Sequence, residues 1–138
     1  MAITTAICTS YKQEILEGVH TSTDTYKIAL FTDAATLGAS TTAYSSTNEV
    51  ANGNGYTTGG NTLTGFASGI ASNKAYITFA DPEWTSATIT ARGCLIYNST
   101  RSNKAVAAFD FGSNISSTNG TFTIDLPAAG ASALIRIA

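Results

Sequence analysis

The chain has 138 residues, enough for one domain with its own core and too few for two ordinary ones. Its formal net charge is -2 and its seven Lys and Arg are scattered singly, which excludes the basic footprint of a nucleic-acid binder. No apolar run approaches the roughly 20 residues that span a bilayer, and the start MAITTAICTS has neither a basic n-region nor a long h-region, so a soluble protein made inside the cell, without a membrane partner, is expected.

One convincing helix comes first: Ser10 is placed to cap it, Gln13 holds the capping-box position, Tyr11 and Ile15 share a face and Gly18 ends it. From Tyr26 the apolar period changes to two, with Tyr26, Ile28 and Leu30 alternating against Lys27, Ala29 and Phe31, which predicts a strand over Thr25–Thr32. Residues 33–60 are rich in Ala, Ser, Thr, Asn and Gly and read as one long loop, a feature that inside a domain usually marks function or an interface.

Further strands are predicted near Asn61–Phe66, Lys74–Phe79, Ala87–Tyr97, Ala105–Phe111, Thr121–Leu126 and Ala133–Ile137, separated by Gly, Asn, Ser or Pro clusters. Asn119-Gly120 reads as a turn before TFTIDL, and Ala87–Tyr97 is expected to pair antiparallel with Ala105–Phe111 across the polar segment 98–103. The expectation is an all-β domain over 1–138: an N-terminal arm and short helix over 1–24, then an antiparallel β-sandwich or jelly-roll-like barrel of seven to eight strands over 25–138.

Residues suited to catalysis are sparse. The single histidine, His20, sits just past the helix, where it reads as a capping or surface residue, and no serine lies in a GxSxG elbow. Asp81 and Glu83 beside Trp84 form the most suggestive carboxylate pair, yet Asp81-Pro82 reads better as a strand-ending turn. Gly53, Gly55 and Gly59 fit no phosphate-loop pattern, Asp24, Asp33 and Asp81 lack calcium-loop spacing, and Cys8 and Cys94 read as small buried hydrophobes. No catalytic residue, cofactor or metal is expected.

The runs YKIALFTDAATLGASTTAY (26–44), Glu49-Val50, GYTTGGNTLTG (55–65), AYITFADPEWTSATITARGCLIYN (75–98), NKAVAAFDFGS (103–113) and NGTFTIDLP (119–127), in this order, resemble a family of small structural proteins encoded among the head and tail genes of tailed bacteriophages. The resemblance covers most of the chain. It implies a virion protein without enzymatic activity, first of all a capsid decoration or cement protein that is synthesised in the host cytoplasm and sits on the capsid surface. The partners it implies are the phage major capsid protein and further copies of the chain, as a homo-oligomer with a trimer favoured.

Such a task needs extended surfaces shared among several partners rather than a pocket. The segment from Asp33 to Gly60 and the N-terminal Met1 to Ser10 are the expected arms, and Tyr44, Tyr56 and Trp84 the expected interface anchors. A tail, collar or head-to-tail accessory protein is the second reading. A surface-displayed carbohydrate-binding module is the third, using Trp84 with Asp81 and Glu83, or Tyr56 with Asn52 and Asn54. An enzyme on a β-scaffold is the last.

Overall fold

Three runs of consecutive buried residues set the architecture: Ile28 to Phe31, Cys94 to Tyr97, and Ala105 to Ala108. Burial without alternation means that both faces of these strands are covered, as in the middle of a layered structure. The computed structural model describes residues 2–127, 130 and 133–137. Its elements, in chain order, are β1 (Ala6–Ile7), α1 (Thr9–Leu16), β2 (Tyr26–Phe31), β3 (Asn61–Thr62), β4 (Ala67–Ala71), β5 (Lys74–Thr78), β6 (Glu83–Asn98), a 3₁₀ turn (Ser99–Arg101), β7 (Lys104–Thr123) and β8 (Ile135–Ile137).

The strands form two antiparallel sheets, a five-stranded one ordered β1-β7-β6-β2-β3 and a three-stranded one ordered β4-β5-β8. With one short helix beside them, this is the all-β class that the period-two pattern predicts. Aromatic rings join the sheets: Tyr26 of β2 packs on Phe66 and Phe79, at ring separations of 5.9 and 5.6 Å.

The expected hairpin is present and longer than predicted. β6 and β7 pair from Asn98 opposite Lys104 to Glu83 opposite Thr123. The tight end works because Asn98 Oδ1 accepts from the amides of Thr100 and Arg101 while Ser102 and Asn103 take left-handed backbone angles. Asn119-Gly120 is not a turn between strands but lies within β7. Asn119 does have positive φ, and the register shifts opposite Ala87 and Ile89, so the local turn preference is absorbed as an irregularity of a ladder that continues on both sides.

The helix starts earlier than its sequence signals. Cys8 is the N-cap, without a side-chain capping bond, and Ser10 lies inside α1 with its hydroxyl buried and unpartnered among the described residues. The C-terminal end follows the glycine. Gly18 adopts φ +76, its amide bonds Ile15 O at 3.1 Å and the Val19 amide bonds Glu14 O at 2.9 Å, which is a Schellman closure.

Asn61–Phe66 contributes only two strand residues, and β4, which the small residues of ASGIA did not signal, forms instead against β5. The expected arms are bound to the chain's own sheets. Thr4 N donates to Leu37 O at 2.8 Å and Ile3 is buried, while Met1 lies outside the described residues.

In the long loop, the amides of Thr32 and Val50 bond Asn48 O and Leu30 O, and those of Tyr44 and Ala105 bond Asn103 O and Thr42 O. The loop thus lengthens the free edges of β2 and β7 in place of separate strands. It returns to β3 through Gly60, at φ +78, packed against the β2 backbone at Ile28 and Ala29 where any side chain would collide. Gly60→Ala is expected to cost roughly 3 kcal/mol or more, read as a lowered urea midpoint.

Candidate protein-interaction surface

The anchors expected from sequence are engaged within the chain. Tyr56 is 2% exposed and Trp84 3% exposed, and their rings pack together at 6.0 Å with Phe122 set edge-on to the indole. Tyr44 is half-buried and stacked on Tyr97 at 4.4 Å. Neither Tyr56 nor Trp84 leaves surface for a partner, because each fills space between the long loop and the ribbon of β6 and β7. The sugar-site readings lose their aromatic platforms for the same reason, and Asp81 accepts the Leu126 amide at 2.8 Å.

One residue that sequence reasoning passed over organises this region. Glu49 Oε2 accepts from the Tyr44 hydroxyl at 2.6 Å; its Oε1 accepts from the Tyr56 hydroxyl and the Gly59 amide, both at 2.7 Å. Tyr56 in turn accepts the Leu30 amide, and Tyr97 donates to Gly59 O at 2.6 Å. Burial and the neighbouring carboxylate push the Tyr44 and Tyr56 phenols above their ordinary range and that of Tyr97 up to about 12. The only sequence signal is an acid in the middle of a loop without basic residues. Glu49→Ala leaves two phenols and an amide short of an acceptor, and about 2 to 4 kcal/mol of stability is expected to be lost in urea unfolding.

A second polar cluster fixes α1. The His20 side chain is buried, rather than lying on the surface as its position implied, because the chain after Gly18 turns back under the hairpin end. Asn98 presents its amide nitrogen to His20 Nδ1 at 3.0 Å and to Asp24 at 2.8 Å, its oxygen being held by two backbone amides. His20 Nδ1 is therefore the acceptor and Nε2–H donates to Glu14 at 2.9 Å. Lys104 pairs with Glu14 at 3.4 Å and Arg101 with Asp24 at 3.0 Å. Through His20, Glu14, Asn98 and Lys104 the cluster ties α1 to the hairpin.

Burial raises the Asp24 carboxyl, but bonds from Arg101, Asn98 and Thr21 outweigh it and hold the group well below the ordinary carboxylate range. A folded value below the unfolded one stabilises at pH above about 4, and this contribution disappears as pH falls through the folded value. Urea midpoints measured from pH 7 down to 2 are expected to fall below pH about 4, and Asp24→Asn to flatten that decline.

With α1 so held, a groove opens between it and the small sheet. It has a volume of about 510 Å³ where Ile15, Phe66 and Ile77 meet, and about 370 Å³ more beside Ile7, Leu16 and Ile137. Leu16 is 88% exposed, Ile70 82% and Ile137 50%, so three of the four large hydrophobic side chains exposed among the described residues lie on this groove. The fourth, Ile115, is on the far half of β7.

Among the described residues no three His, Cys, Asp or Glu side chains gather as metal ligands. Cys8 and Cys94 are buried free thiols that burial pushes up to about 11 and 12. No helix among the described residues is long and apolar enough to cross a membrane. Compared with protein-family models, with curated proteins and with solved structures, the chain finds no match in any of the three.

Proposed function

We propose that this chain is a structural protein of a tailed-bacteriophage virion, a capsid decoration or cement protein that binds the major capsid shell as a homo-oligomer. The observation that supports this reading best is the groove bordered by Leu16, Ile70 and Ile137. Among the described residues 29 hydrophobic ones are buried, yet three large aliphatic side chains are held in water on one side. Exposed apolar side chains grouped around a concavity are the mark of a surface meant to be covered by another protein.

The sparse charge agrees with it. Only 12% of the residues are charged, so contacts made by this surface rest mainly on apolar burial and backbone hydrogen bonds, with few ion pairs. Unlike exposed ion pairs, such contacts survive changes of salt outside the cell.

The reading is tested on particles. Cryo-EM of the source phage is expected to place density for this chain as repeated knobs where capsomers meet. Density in one ring or fibre at the portal or tail would replace it with a tail or collar role, and absence from the particle would overturn it. When purified chain is added back to undecorated capsids, Leu16→Asp with Ile70→Asp is expected to cut occupancy about tenfold or more, while the urea midpoint changes little because both side chains are exposed.

A further inference from the structure

Both sheets end at this groove. Among the described residues β8 is the edge strand of the small sheet, paired to β5 alone, and β1 is the edge strand of the large sheet, paired to β7 alone. The cavity beside Leu16 is lined by Ile7, Tyr11, Lys12, Ile15, Arg136 and Ile137, and its neighbour of about 480 Å³ has Thr5, Ala6 and Ile7 on one wall and Leu134 and Arg136 on another. Neither lining includes a residue of β4 or β5, so both spaces lie off the open edge of β8, on the side facing α1 and β1.

Beside Leu16 the walls of the groove are apolar and their charge is one-sided, whereas the neighbouring cavity has Asp125 in its lining together with Arg136. Lys12 and Arg136 are exposed at the cavity beside Leu16, and neither meets an acidic side chain of the described residues. The other described ion pairs use Arg92, Arg101, Lys104 and His20, all of them away from this cavity. Neither this cavity nor the wider part of the groove under the small sheet is lined by an acidic residue.

We propose that this groove receives an extended segment of a partner chain, which adds as a strand to the free edge of β8. Its alternate aliphatic side chains lie on Ile7, Ile15 and Leu16, and a carboxylate on it meets Lys12 and Arg136. An open edge supplies backbone donors and acceptors that only another extended chain satisfies in series. Alternate side chains of a strand point to one face, which suits the apolar wall of α1. The two cations select an acidic segment over a basic one. This names the kind of segment that the decoration reading of the preceding section requires, and it rests on that reading for its biological partner.

The test needs no particles. Full-length chain is titrated, by fluorescence anisotropy, into a labelled synthetic peptide of alternating valine and threonine with a glutamate at each end. Two control peptides accompany it, one with lysine in place of the glutamates and one N-methylated at alternate peptide nitrogens. The acidic peptide is expected to bind, with the lysine and N-methylated forms each about tenfold weaker. Lys12→Glu with Arg136→Glu, at two exposed positions of which Arg136 also gives up its bond to Ala133 O, is expected to invert the preference between the acidic and basic peptides.

Equal binding of all three peptides, or a preference for lysine by the unaltered chain, would overturn the proposal, since either outcome describes non-directional apolar adhesion. Absence of binding by all three would also overturn it. If Leu16→Asp with Ile70→Asp still lost its place on capsids, the decoration reading would stand and only the extended occupant would fall.

Discussion

The pairing of β6 with β7 is the constraint on which the rest of the structure depends. Sixteen and twenty residues long, these strands run the length of the large sheet, and β1, β2 and α1 are positioned directly against them. β2 pairs along the inner half of β6, β1 along the inner half of β7, and the loop over 33–60 joins both outer edges. Main-chain bonding of this extent is strong because each buried amide left unpaired would cost on the order of 1 to 3 kcal/mol. It also explains why a turn-forming dipeptide, Asn119-Gly120, is carried inside a strand.

A protein with so few charges uses them with economy. Glu49 gathers two phenols and an amide and so turns a long polar loop into a covering layer for the sheet. Glu14, His20, Asn98, Asp24, Arg101 and Lys104 bind the helix to the hairpin end. In both clusters a carboxylate accepts several donors in a half-buried setting, where such bonds are stronger than neutral ones. The groove owes its shape to the second cluster, since α1 is held against β7 by polar ties near Glu14 while Leu16, one turn's end away, is left in water.

The uncovered apolar side chains therefore lie apart from the long loop. Aromatic residues in Gly-rich surroundings, Tyr44, Tyr56 and Trp84, have the composition of interface anchors, but composition is the same for a ring that packs on a partner and one that packs on its own sheet. Aliphatic Leu16 and Ile70, ordinary by sequence, are the side chains left uncovered. What distinguishes the two sets is whether another part of the chain reaches them, a matter of long-range topology.

Much was legible in the amino-acid sequence alone. The switch to a period of two at Tyr26 gave the all-β class, the apolar runs on either side of 98–103 gave the central hairpin, and Gly18 gave the helix end, each because the physical cause is local: alternation across a pleat, a polar turn, a left-handed backbone angle. Tertiary structure alone decided that β6 and β7 continue to Glu83 and Thr123, that ASGIA is a strand, that His20 is buried and that the long loop is anchored by Glu49. These depend on partners tens of residues away, and burial, unlike a turn or a period, is a property of what the rest of the chain brings into contact.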